Sequence, residues 1–119
     1  MLLHAVCDAL LGAIGCQDIG EHFPDTDPKY KDISSRELLK NTALLVKRKG
    51  FKIGNIDCII ILEEPKLSAY KLKMRKQISS LLKIKEEAVN IKAKTNERLG
   101  DVGKSKAIAS YSVVNIIRE

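Results

Sequence analysis

Apolar positions along the first fifteen residues recur at helical spacing. Ala5, Ala9, Leu10 and Ala13 share one face with Val6 and Ile14 beside it, which predicts a helix over 2–15 ended by Gly15. His4 and Asp8 are four apart and so stack on one face of that helix. The period is lost over 18–33 (DIGEHFPDTDPKYKDI), a long Asp- and Pro-bearing loop of the kind that often carries function. Ser34 and Glu37 then form an S-x-x-E capping box. They open a second helix with Leu38, Thr42, Leu45 and Val46 inward, and Gly50 closes it after three cations, Lys47, Arg48 and Lys49. The run IDCIIIL, residues 56–62, is short and almost wholly apolar, the pattern of a strand covered on both faces. Pro65 ends it, and Leu72, Arg75, Ile78, Leu81 and Leu82 place a third helix over 68–83. VNIKAK, residues 89–94, alternates as a strand with one polar face, and a glycine-bearing turn leads to a last strand over 107–117. The order helix, loop, helix, strand, helix, strand, strand predicts an α/β (α+β) layered domain, a mixed sheet packed on helices, over residues 1–119.

Composition narrows this picture. Aromatics make up 4% of 119 residues and Trp is absent, so the core must be aliphatic, and a base-stacking platform for single-stranded nucleic acid is not expected. A formal charge of +6 favours anionic partners. The charge is uneven, however: acids crowd Asp18 to Glu37, and lysines crowd Lys40–Lys52 and Lys66–Lys85. That division suits metal plus phosphate better than a nucleic-acid surface. Three cysteines without a CxxC pair fit a reducing compartment. The apolar start lacks Lys or Arg and is broken by His4 and Asp8, so it does not read as an export signal, and no run is long enough to span a bilayer. The expectation is a cytoplasmic protein without membrane or nucleic-acid partners.

Four stretches could carry chemistry, and each has a plainer reading. His4 is a possible metal ligand with Asp8 to orient it, or an ordinary helix histidine; no HxH, HExxH or cysteine cluster supplies the three protein ligands that catalytic zinc needs. Asp18–Asp27 could hold the hydroxyls of a polyol or a hydrated cation, or simply cap turns. In Lys92–Lys104 the hydroxyl of Thr95, the carboxylate of Glu97, two glycines and a lysine suit phosphate and magnesium, or form a solvated β-turn; GxxxxGK[ST] is absent. Glu63–Leu67 stands directly after the apolar strand, a frequent ligand position in α/β sheets or only a connecting loop.

Taken in order, LHAVCDALLGA, DIGEHFPDTDP, SREL, GNID, PKL and KAKTNERLG resemble the 2-C-methyl-D-erythritol 2,4-cyclodiphosphate synthases of the non-mevalonate isoprenoid pathway, from His4 to the C-terminus. The resemblance implies a homotrimer with interfacial active sites, zinc, and a second divalent ion, magnesium or manganese. It also implies conversion of 4-diphosphocytidyl-2-C-methyl-D-erythritol 2-phosphate to the cyclic diphosphate with release of CMP. By motif, His4 looks like a zinc ligand, Glu97 like the magnesium ligand and Thr95 like the residue that stabilises the transition state. Asp18, Ile19, Gly20, Phe23, Pro24, Asp25, Thr26 and Asp27 look like the segment that binds the methylerythritol moiety. Leu62, Glu63, Glu64, Pro65, Lys66, Leu67 and Ser68 resemble a cytidine-binding stretch, joined by Ala93, Lys94 and Thr95. Lys104 falls where the family usually has a phosphate-contacting arginine, Asp101 where it commonly has an aromatic, and Ser105-Lys106 where it has Gly-Glu.

The family's G-x-D-x-H strand, with two further zinc ligands, and its H-S-D segment have no counterpart in this sequence. The resemblance therefore implies an N-terminally truncated form of the fold with an incomplete zinc site and an unpaired sheet edge. The alternative to an enzyme is an inactive remnant that trimerises and binds cytidine nucleotides. A bacterial cytoplasm is expected, or else a plastid-type organelle.

Overall fold

A computed structural model describes residues 2–16, 19–24, 26 and 33–119. The elements are α1 (Leu2–Ala13), a short α2 (Ile19–His22), α3 (Ser35–Arg48), β1 (Phe51–Ile61), α4 (Lys71–Leu82), β2 (Val89–Lys94), a short α5 (Gly100–Gly103) and β3 (Ala109–Arg118). The strands form one mixed sheet in the order β2-β1-β3, with β1 parallel to β2 and antiparallel to β3. α1 packs on β3, α4 on β2, and α3 lies between the two helices and β1, so all three long helices cover one face. The α/β class and the mixed sheet on helices are as the sequence pattern predicts.

The buried face of α1 is Val6, Cys7, Leu10 and Leu11, with Ile14 just beyond it. The expected alanine stripe is not the core: Ala5 and Ala9 are half-buried on the flank and Ala13 is exposed. Branched side chains remove more apolar area from water than a methyl group, so they set the rotation of the helix. In α3 the buried set is Leu38, Leu39, Thr42 and Val46, with Leu39 taking the depth expected of Leu45. Ser34 caps this helix by accepting the Glu37 N–H at 3.2 Å. Gly50 follows the C-cap Lys49 with φ +89°, a conformation that glycine adopts without penalty.

β1 begins at Phe51, five residues before the apolar run. A bulge between Ile53 and Asn55 lets it do so. The extra residue, Gly54, restores the phase of side-chain alternation, so that Phe51 and Ile53 share the core face with Ile56, Cys58 and Ile60. Among the described residues the run is covered on one face only. Ile56, Cys58 and Ile60 are buried, but Ile59 and Ile61 are only half-buried. They share the outer face with Tyr111 (60% exposed), Val113 (71% exposed) and Ile117, and with an Asp57–Lys92 ion pair at 3.0 Å.

Candidate active site at the ends of the parallel strands

β1 and β2 run in parallel and end together, Ile61 opposite Lys94, with the Leu62 N–H donating to the Lys94 carbonyl at 3.0 Å. Two loops therefore leave the sheet side by side, residues 62–70 and 95–99, at the carboxyl ends where α/β sheets commonly bind ligands. One hydrogen bond ties them: the backbone N–H of Asn96 donates to Glu63 Oε2 at 3.1 Å. The second loop is a tight turn in which the Leu99 N–H donates to the Asn96 carbonyl at 2.9 Å and Asn96 Nδ2 donates to the Leu99 carbonyl at 2.8 Å. Glu97 and Arg98 are both left-handed, at φ +51° and +61°, which is costly for residues with a β-carbon. Gly103 allows the fold. A β-carbon there would lie 2.2 Å from the Arg98 carbonyl carbon, so only glycine permits this approach.

Between the loops lies a cavity of about 190 Å³ lined by Leu62, Glu63, Lys66, Leu67, Ser68, Lys71, Ala93, Lys94 and Thr95. Leu62, Leu67 and Ala93 give it apolar wall, and its lining carries three lysines and one glutamate. A larger open groove shares Glu63, Lys66 and Thr95 and continues past Glu64 and Pro65 to Arg98, Gly103, Lys104 and Ser105. Together the two hollows are lined by five cations and two carboxylates, a balance of charge that suits an anionic ligand. The Thr95 hydroxyl sits where they join and accepts the Glu97 N–H at 3.4 Å.

The structure thus brings together Leu62, Glu63, Glu64, Pro65, Lys66, Leu67, Ser68, Ala93, Lys94, Thr95 and Lys104. Glu97 and Asp101 line neither hollow; Glu97 is exposed on the turn beside Thr95, and Asp101 is exposed on α5. Asp18, Asp25 and Asp27 lie outside the described residues, as does the side chain of Ile19. Of that segment, Gly20 is in α2, Phe23 is buried in the core, Pro24 is half-buried and Thr26 is exposed. Lys71 and Arg98 also line the hollows and were not among the residues singled out from the sequence. Lys71 looked like one more cation on a lysine-rich helix, and Arg98 like part of a solvated turn.

His4 is exposed and sits elsewhere, with Nε2 3.1 Å from Ser35 Oγ. Ser35 lines an apolar cavity of about 350 Å³ that shares Leu62 and Leu67 as a wall with the smaller hollow. No three His, Cys, Asp or Glu side chains converge among the described residues. Catalytic zinc takes three protein ligands, so the described residues of one chain do not fit a complete zinc site. Magnesium is less demanding, because one carboxylate plus phosphate oxygens and water satisfies it, and an exposed Glu97 beside Thr95 fits that role. Cys7 and Cys58 are not poised for chemistry: burial pushes the Cys7 thiol up to about 11 despite its hydrogen bond with Thr42, and burial likewise raises Cys58.

Residues 1–117 match the model of the YgbB family. The 2-C-methyl-D-erythritol 2,4-cyclodiphosphate synthase of Geobacillus kaustophilus is 50% identical over 114 residues, 96% of this chain and 72% of that protein. The synthase of Syntrophobacter fumaroxidans is 48% identical over a stretch of the same length. Among solved structures, the CDP complex of IspF from Plasmodium falciparum superposes with a TM-score of 0.88 at 35% identity, covering 98% of this chain and 70% of that one. The bifunctional IspDF of Campylobacter jejuni gives 0.93 at 42% identity, and there the chain spans 32% of the larger protein. A shared architecture and a shared sequence over nearly the whole chain lead to one assignment: this chain belongs to the YgbB family of 2-C-methyl-D-erythritol 2,4-cyclodiphosphate synthases.

Proposed function

We propose that the chain converts 4-diphosphocytidyl-2-C-methyl-D-erythritol 2-phosphate to 2-C-methyl-D-erythritol 2,4-cyclodiphosphate and CMP. An oxygen of the 2-phosphate attacks the β-phosphorus, the anhydride bond to the α-phosphorus breaks, and CMP leaves with that bridging oxygen. The observation that carries this reading is the cavity at the ends of β1 and β2, which gathers the Leu62–Ser68 and Ala93–Thr95 stretches under one set of cations. In this reading Leu62, Leu67 and Ala93 receive the cytosine, while Lys66 and Lys94 attract the diphosphate. Thr95 offers its hydroxyl to phosphate oxygens where the hollows meet, and Lys104 steadies the far phosphate as a single point charge. Such work is chiefly orientation and charge stabilisation, which is most of what phosphoryl transfer asks of a protein. Glu97 is the residue to hold magnesium or manganese, an ion that when bound neutralises charge on the transferring phosphate. Gly20 and Thr26, with Asp18, Ile19, Phe23, Pro24, Asp25 and Asp27, are proposed to receive the methylerythritol part.

The family relationship also suggests a homotrimer with sites between subunits. The outer sheet face, with Tyr111 and Val113 mostly exposed, supports it, because a sheet face this apolar is normally covered. Three free cysteines suit a reducing bacterial cytoplasm, and no described helix is long and apolar enough to cross a membrane.

Release of CMP from the diphosphocytidyl substrate, measured with magnesium and zinc present, tests the enzyme reading. The expected outcome is turnover by the wild-type chain and a loss of at least about a hundredfold in Glu97→Ala, the scale of removing one preorganised charged group. A chain that binds CDP but releases no CMP overturns it. That outcome is the second reading, cytidine-nucleotide binding without catalysis, and one observation favours it: no three His, Cys, Asp or Glu side chains converge among the described residues.

A further inference from the structure

The smaller hollow holds more positive charge than its motif residues account for. Besides Lys66 and Lys94, it is lined by Lys71, the first residue of α4, where the backbone N–H donates to the Leu67 carbonyl at 3.1 Å. That hydrogen bond fixes the helix start against the loop and so sets where the Lys71 side chain springs from. Lys71 is half-buried, and among the described residues neither it nor Lys66 nor Lys94 forms an ion pair. The one carboxylate on the cavity wall, Glu63, is already accepting the Asn96 N–H. Three like charges line some 190 Å³ and repel one another, and of the three Lys71 is half-buried while Lys66 and Lys94 are exposed. An anion entering the hollow relieves that repulsion; a neutral molecule of the same shape does not.

We infer that Lys71 is a ligand-charge determinant of this site: it favours nucleotides carrying a diphosphate over the uncharged nucleoside with the same base. The inference rests on the nucleotide-site reading above but concerns a residue outside its motifs. The apolar wall of Leu62, Leu67 and Ala93 contacts base and sugar whatever their charge, so it cannot make this distinction. Lys66 and Lys94 begin the attraction, and Lys71 closes the ring of charge from the helix side.

The test is calorimetric titration of the full chain with CDP, cytidine and inorganic pyrophosphate, using wild type, Lys71→Met and Lys71→Arg. Methionine keeps most of the apolar stem and removes the charge, while arginine keeps the charge. The expected result is about tenfold weaker CDP binding in Lys71→Met, the scale of one lost hydrogen bond to a charged group. Cytidine affinity should change less than about twofold, Lys71→Arg should restore CDP binding, and the CDP loss should shrink as salt screens it. Equal losses for CDP and cytidine, or no loss for either, overturn the inference, provided the unfolding midpoint of Lys71→Met matches wild type. If that midpoint falls, Lys71→Arg decides: failure to restore CDP binding while restoring stability overturns it. If wild type binds pyrophosphate but not CDP, the cytidine reading fails and the pyrophosphate titrations judge Lys71 alone. If wild type binds neither, both fall.

Discussion

Gly103 shows what single residues do here. Its α-carbon packs against the backbone of Arg98 so closely that any β-carbon would overlap it, and this contact holds the turn bearing Thr95 and Glu97. Neither partner is flexible, since one is backbone and the other is the helix α5. Gly103→Ala is therefore expected to destabilise the fold by about 1–3 kcal/mol, the usual cost of forcing a methyl into a filled space. Scanning calorimetry should show a clear fall in the unfolding midpoint, and an unchanged midpoint would mean the turn is not built this way. At this scale the sequence was readable where a motif is local. Pro65, Lys66 and Thr95 stand at strand ends that the hydrophobic pattern itself marks. Lys71 and Arg98 were not readable, because nothing local separates a lysine that lines a cavity from one that faces water. Only the pairing of β1 with β2 decides it.

At the scale of elements, the hydrophobic pattern located every long helix and strand, and its errors have physical causes. The start of β1 was missed because Lys52, Gly54 and Asn55 break the alternation that a strand should show, and the bulge that repairs the phase depends on pairing with β3. In α1 the pattern counts alanines and leucines alike as apolar, whereas the larger side chains Val6, Leu10 and Leu11 turn inward. The run IDCIIIL has the pattern of a strand covered on both sides, whereas the described helices cover one side only. The unmet cover becomes a prediction. Val113 stands opposite Asp57 on the exposed side of the sheet, so Val113→Asp sets two carboxylates face to face on the surface proposed to join subunits. Light scattering should give about three times 13.2 kDa for wild type and a monomer for the variant. A monomeric wild type, or a variant that stays assembled, would contradict the trimer.

At the largest scale, α1, α3 and α4 close one sheet face and, among the described residues, nothing closes the other, while the ends of β1 and β2 carry the charged hollow. The proposed site is thus split: the nucleotide half belongs to the strand ends, and His4 stands apart with Ser35. A split site is what the proposed homotrimer requires, since in it one subunit would offer half of a site to its neighbour. The central claim is that the hollow at the strand ends is where the nucleotide binds. Backbone amide resonances followed during titration with CDP test it most directly. Saturable shifts concentrated in residues 62–68, 71 and 93–98 are expected. Shifts spread along the exposed lysines of α4, or no saturable shifts at those loops, would contradict it.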